Sequence, residues 1–232
     1  MNRIPLWLTG PQACSYLDDR VSQSAVVDPD ISLSPLLYSR LIELGFRRSG
    51  DQVYRPHCGG CCACIATRIP VAQFSPDRAQ KRCRKRNADT QVNIKPARFD
   101  SRHFELYQRY QNARHDSDHG RDISPQDYMG FLGSGWSDTW FVEFTHQQQL
   151  LAVAVVDVVD NGLSAVYTFF EPDSGGLSPG VFAVLWQIEQ AKIMQLDFLY
   201  LGFWIKDCRK MRYKNQYQPL QGLINQQWQP IY

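Results

Sequence analysis

The chain of 232 residues contains no apolar run of the roughly 20 residues that a membrane-spanning helix takes. Its longest candidate, Leu150 to Val159, is already interrupted by Asp157. Met1 to Trp7 carries one positive charge and no apolar centre, so no secretory signal peptide is expected there. Cysteine is odd in number at seven, which argues against a disulfide framework and for free or metal-bound thiols in a reducing compartment. A cytoplasmic protein is therefore expected, with neither a membrane nor DNA as its partner. The five histidines, His57, His103, His115, His119 and His146, show no pairing with a nucleophile, so covalent catalysis has no support. No internal repeat or low-complexity tract is present. One shortage is local: from Arg78 to Arg86 there are six positive charges and no negative one, although the whole chain carries only +2.

What is present reads as globular, with 44% hydrophobic and 12% aromatic residues. Residues 1–75 are punctuated by proline and hold most of the cysteines, which suggests a small N-terminal subdomain. One helix is expected there from Pro35 to Leu44, with proline near its start and Gly45 as its stop. Residues 76–232 form the expected larger domain, opened by a basic helix over 77–87. A strand at Thr90 to Ile94 follows, then helices at Ser101 to His115 and from Ser124 to Phe131. Three strands come next at Thr139 to Phe144, Leu150 to Val159 and Leu163 to Phe170. A long helix from Ser178-Pro179 to Met194, a strand at Asp197 to Leu201, a short helix at Asp207 to Lys214 and a strand at Tyr217 to Leu223 complete the chain. This order, β-α-α-β-β-β-α-β-α-β, is that of the N-acetyltransferase (GNAT-like) fold. The expected class is α+β, a mixed sheet flanked by helices, and element order by itself suggests acyl transfer only by analogy.

Four groups of residues carry chemistry. Cys58, Cys61 and Cys64 form two overlapping Cys-x-x-Cys steps beside His57, with Cys14 as a distant fourth ligand; a structural metal site and a cysteine-rich loop leading into a strand both fit. The Arg78–Arg86 run has no acidic residue at helical spacing, which points to phosphate contact, against the plain alternative of a solvated face. The segment Phe198 to Lys206, followed by Lys210 to Lys214, combines aromatic rings with cations. Such a set suits stacking of unpaired bases or, for about half of it, a strand end in the core. Tyr167 to Pro179 lies where an acyl-CoA enzyme of this fold carries its pyrophosphate loop, but Asp173 places a carboxylate there. Coenzyme A is therefore disfavoured as the donor.

Taken together, Cys14-Ser15-Tyr16-Leu17, Gly45 to Gly50, Tyr54-Arg55-Pro56, the cysteine loop, Arg68-Ile69, Phe74 to Asp89, Tyr200 to Ile205 and Met211 to Lys214 with Pro219 resemble the bacterial aminoacyl-tRNA–protein transferases. The similarity is specifically to the aspartate/glutamate leucyltransferases, relatives of the eukaryotic arginyltransferases, and covers nearly the whole chain. It implies transfer of leucine from leucyl-tRNA to the α-amine of proteins beginning with Asp or Glu, which marks them for N-end rule degradation. Arginyl transfer and acetyl-CoA-dependent protein acetylation are the alternative activities, and a metal-dependent RNA-binding module is the non-enzymatic one. No cofactor is required for the chemistry. Eukaryotic relatives hold an iron–sulfur cluster; Cys14 and Cys61-Cys62 match three of its positions, whereas Leu17 stands at the fourth. A zinc or such a cluster on Cys14, Cys58, Cys61 and Cys64 is the corresponding expectation.

Roles follow from residue type and motif position. Tyr167, Lys206 and Lys214 are the candidate catalytic residues. Arg78, Arg82 and Lys85 would grip the acceptor stem, with Tyr200 and Trp204 stacking bases. Arg47, Arg48 and Arg68 would read the acidic amino terminus, a task that favours a bidentate cation.

Overall fold

The computed structural model describes residues 3–114 and 123–232, so His115 and His119 lie outside the described residues. In chain order the first part forms β1 (Leu6–Leu8), β2 (Gln12–Ala13), β3 (Val21–Ser22), β4 (Ser24–Val27), α1 (Pro35–Glu43), β5 (Arg47–Ser49), β6 (Gln52–Pro56) and β7 (Ile65–Pro70). Then follow α2 (Arg78–Arg86), β8 (Gln91–Pro96), α3 (Ser101–Arg114), α4 (Pro125–Leu132), β9 (Thr139–His146), β10 (Gln149–Val159) and β11 (Gly162–Phe170). The remainder is α5 (Pro179–Ile193), β12 (Phe198–Trp204), α6 (Arg209–Arg212), β13 (Leu220–Ile224) and β14 (Gln227–Ile231).

The local chemistry explains the helix starts. Ser34 accepts a hydrogen bond from the Leu37 amide ahead of Pro35, and Ser124 and Asp127 close a reciprocal capping box before α4. Asp77 and Gln80 form the same box before α2. These expected helices therefore begin where the sequence places them.

The main sheet has eight strands in the order β14-β13-β7-β12-β11-β10-β9-β8. The apolar run of β10 is its centre, and both faces are covered. Ala152, Ala154 and Val156 join Val142, Phe144 and α5 residues such as Leu185 and Ile188 in one core. The alternate residues Val153 and Val155 join Phe141, Phe169, Leu106 and Tyr128 in another, under α3 and α4. Period-two alternation into two cores requires apolar residues at every position. Each valine, leucine, isoleucine or phenylalanine among them contributes about 1.5 to 3 kcal/mol when fully buried. A smaller sheet, β1-β4-β6-β5, sits with α1 in a third cluster.

Three features depart from expectation. The boundary at residue 75 does not coincide with a break in the architecture, because β7 lies inside the eight-stranded sheet between β13 and β12. The C-terminal strand is a hairpin, with β14 beyond β13; its turn residues Asn225 and Gln226 both have positive φ, a choice without the usual glycine signal. The helix at Asp207 to Lys214 shortens to α6 and a 3-10 turn at Tyr213–Gln216. Among the described residues no helix is long and apolar enough to cross a membrane.

Candidate active site

Strands β11 and β12 run parallel but pair only at Gly162 with Phe198, Leu163 with Leu199 and Ser164 with Tyr200. Beyond Ser164 they diverge. On β11 the register slips opposite Val155 and Val156, leaving an extra residue between Ala165 and Tyr167. On β12 the register shifts between Tyr200 and Gly202, where Gly202 adopts φ +79°. Bulges of this kind bend strands apart and interrupt pairing. The resulting opening is a cavity of about 730 Å³, lined on one side by Ala165 to Thr168 and on the other by Leu201 to Phe203. Its mouth includes Ser178 to Val181 at the start of α5 and Arg209, Lys210 and Tyr213 around α6. That size accommodates a small-molecule moiety such as a terminal aminoacyl nucleoside.

The charge of this cavity is one-sided. Arg47, Arg48, Arg209, Lys210 and Lys214 line it, and no Asp or Glu is among its described lining residues. Arg48 is already neutralised: its Nε and Nη2 donate to the two carboxylate oxygens of Asp157 at 2.6 and 2.7 Å, and Nη1 reaches Leu132 O, Gly133 O and Gly50 O. Burial works against the Arg48 charge, but the Asp157 carboxylate more than offsets it, so the pKa stands above the ordinary arginine value. Among the described residues Arg47 has no such partner. Its Nη1 donates to Phe46 O at 2.6 Å and Nη2 to Thr67 O at 3.2 Å, while Nε is buried without an acceptor. Burial lowers its pKa. Lys214 is equally enclosed, donating to Phe203 O at 2.5 Å and approaching Met211 Sδ at 3.4 Å. Burial, and then the neighbouring Arg47 charge, push its pKa down to about 7.

Tyr167 lines the cavity from β11, and its hydroxyl accepts a hydrogen bond from Gln111 Nε2 at 3.3 Å. The basic helix α2 stands at the rim. Its inward residues fasten two lips of the cavity: Asn87 Nδ2 donates to Leu177 O at 2.8 Å, and Gln80 Nε2 donates to Gln216 O at 2.9 Å. Arg78, Lys81, Arg82, Lys85 and Arg86 are exposed on its outer surface, whereas Arg84 pairs with Glu189 at 2.9 Å.

Several expected site residues are elsewhere. Tyr200 is fully buried, its hydroxyl donating to Asn161 Oδ1 at 3.0 Å, and Trp204 is also buried. Neither ring has a face open to a base: Tyr200 packs in the cluster with α1, and Trp204, beyond the register shift, packs in the core with β10 and α5. Arg48, locked to Asp157, has no free donor for a peptide. Arg68 lies between the rings of Phe198 and Trp228, with its Nε on Gln221 Oε1 at 2.8 Å, and does not line the cavity. Lys206 is exposed beyond the end of β12, outside the lining. Conversely, Tyr16, Tyr54, Arg209 and Tyr213 line it; only the Cys14, Tyr54 and Met211 motif regions marked Tyr16, Tyr54 and Tyr213 in the sequence, and no motif included Arg209. Of the described histidines, His103 pairs with Glu143, His146 meets Thr90, and none lines the cavity.

The cysteine loop joins β6 to β7, with an isolated backbone β-bridge pairing Cys58 and Cys61, whose thiols are free. Burial, then Cys58, Cys14 and Cys61, raise the Cys64 thiol to about 11, so these groups are neighbours. Among the described residues, however, no three cysteine sulfurs lie within 4.8 Å of one another, so the set as arranged does not fit one tetrahedral ion. The grouping that does meet that distance is Asp100, His103 and Glu143. There Lys95 and Arg102 already bond to Glu143, which disfavours a cation.

A family model described as arginine-tRNA-protein transferase, C terminus, matches residues 102–224, and its N-terminus counterpart matches residues 12–82. The chain is 51% identical to an aspartate/glutamate leucyltransferase of Teredinibacter turnerae over 230 residues, covering 97% of this chain and 93% of that protein. Proteins of the same name from Alcanivorax borkumensis and Hahella chejuensis are 48% and 45% identical, each over 98% of this chain and over 94% and 97% of their own lengths. Solved structures resemble it distantly. The C-terminal domain of a putative lysylphosphatidylglycerol synthetase from Agrobacterium fabrum has a TM-score of 0.47 at 12% identity, over 85% of this chain and 64% of that one, too weak a likeness for a fold assignment. The sequence comparisons are decisive by themselves: the chain belongs to the arginine-tRNA-protein transferase family, alongside its aspartate/glutamate leucyltransferases, and is an aminoacyl-transfer enzyme.

Proposed function

We propose that the chain transfers leucine from leucyl-tRNA to the α-amine of proteins beginning with Asp or Glu, so marking them for degradation, and that its larger domain is GNAT-like. The observation that carries this reading is a cation-lined cavity between splayed parallel strands, with a basic helix bonded to its rim. Arg78, Arg82 and Lys85 grip phosphates on the outside, and the acylated end of the tRNA enters the cavity. Phosphate contacts of this kind position the RNA without reading its bases.

The aminoacyl ester is already activated, so no covalent enzyme intermediate is needed. The attacking α-amine has a pKa of about 7.7 to 8.0, which leaves roughly a tenth of it neutral at pH 7. Its nitrogen forms a bond to the leucyl carbonyl carbon, the ester C–O bond breaks, and the ribose oxygen takes up a proton as the amine loses one. Rate then depends mainly on alignment and support of the developing oxyanion. Tyr167 orients the amine, and the edge of β11 that parts from β12 beyond Ser164 faces the incoming chain. No step is routed through the cysteines.

The test offers labelled leucyl-tRNA, arginyl-tRNA and acetyl-CoA to one peptide with an amino-terminal Asp. Leucine alone should be incorporated. Arginine incorporation would replace the donor, and acetyl incorporation would replace the reaction.

A further inference from the structure

We propose that Arg47 Nε and Lys214 Nζ, facing the hollow above Gly202, form a subsite that binds the side-chain carboxylate of the substrate protein's first residue. The inference rests on the reaction read above and adds where the acidic residue is recognised. Arg47 is 6% exposed, yet among the described residues its guanidinium donates only to neutral carbonyls, beside the rings of Tyr200 and Phe203, and its Nε has no acceptor. A buried charge with no counter-charge is costly, and in native structures such groups are paired. Lys214, also 6% exposed, adds a second cation and uses Phe203 O and Met211 Sδ as partners, which leaves one of its three protons when charged. Apart from chain neighbours, the atoms nearest to where a side chain at residue 202 would project are Lys214 Nζ at 3.9 Å and Arg47 Nε at 4.0 Å. The absence of a side chain at Gly202 keeps that space open. The missing negative charge therefore has a place, two donors and an approach through the cavity, and a carboxylate is small and planar enough to enter.

The experiment compares the wild type, R47Q and K214M with two peptides that differ only in Asp or Asn at the first position, and measures leucyl-tRNA affinity separately. Both variants should lose roughly a hundredfold in kcat/KM for the Asp peptide relative to the Asn peptide, mainly through KM, so the ratio between the two collapses. Leucyl-tRNA affinity should not change. An unchanged ratio overturns the subsite. So does a parallel fall for both peptides with weakened leucyl-tRNA binding, because the two cations would then be serving an RNA phosphate. A binding measurement on the wild type separates the subsite from the reaction and stands even if a variant does not fold: an Asp-Ala dipeptide should raise the melting temperature and Asn-Ala should not. Equal shifts overturn the subsite, whereas a selective shift without leucine transfer leaves the subsite standing and removes the reaction.

Discussion

Arg47 and Arg48 are adjacent on the three-residue strand β5, and the difference between their surroundings separates structure from function in this protein. Alternation along the strand sends them to opposite sides. Arg48 enters the seam between the two sheets, where Asp157 and the carbonyls of Leu132 and Gly133 satisfy its fork. Arg47 enters the cavity wall beside Lys214 and Gly202, with rings of Tyr200 and Phe203 at 5.5 and 5.9 Å and no carboxylate. A saturated buried cation holds the fold together. An unsaturated one stores an electrostatic demand that a ligand can meet.

The comparison can be broken most forcefully at Asp157. Asp157→Ala should destabilise the protein by about 3 to 5 kcal/mol in urea unfolding, because it leaves Arg48 buried and unpaired. Arg47→Gln should cost less, under about 2 kcal/mol by the same measurement, since it removes a charge that had no counter-charge. A loss matching that of Asp157→Ala would erase the distinction.

Lys214 sharpens it through pH. Its folded pKa of about 7 lies below its ordinary value of 10.5, so between these values the unfolded chain binds the extra proton. Stability relative to Lys214→Met should therefore rise from about pH 7 towards pH 10, by at most about 1.4 kcal/mol per pH unit, and stay flat below pH 7. Urea melts at pH 6, 7.5 and 9 check the slope and its sign.

The outer surface should behave differently again. Arg78→Ala with Arg82→Ala should weaken leucyl-tRNA binding about tenfold and reduce the slope of log K against log salt by about 1.4 to 1.8, without lowering the melting temperature. The smallest effect belongs to the half-exposed Arg84–Glu189 pair, where Glu189→Ala should change stability by less than about 1 kcal/mol.

Much of this was legible in the sequence. The Asp77-x-x-Gln80 box and the Arg78–Arg86 run define a basic helix by local hydrogen bonding and charge alone, and it forms between Arg78 and Arg86. The apolar run from Leu150 to Val159, broken only by Asp157, reads as a strand, and Ser124-Pro125 fixes the start of α4. The order of elements from residue 90 to β13 followed from such signals, whereas β14 did not. Charge and aromatic content could not separate Arg47 from Arg48, or a stacking Tyr200 from a core Tyr200. Those choices depend on which strand face meets which neighbour, and the neighbours lie about a hundred residues away. Asp157 illustrates the point, since along the chain it is only an interruption in an apolar run, and in the fold it is the counter-ion of Arg48. Similarly, nothing along the chain ties Asn87 to Leu177 or the side chain of Gln80 to Gln216.

By itself the sequence determined the family, the class of chemistry and the local elements, because caps, periodicity and motif order act over a few residues at a time. Tertiary structure alone decided which cations are paired and which face the cavity. Strand divergence after Ser164, the open space at Gly202 and the meeting of Arg47 with Lys214 arise from contacts between distant segments. Buried charge is governed by those contacts and not by position along the chain.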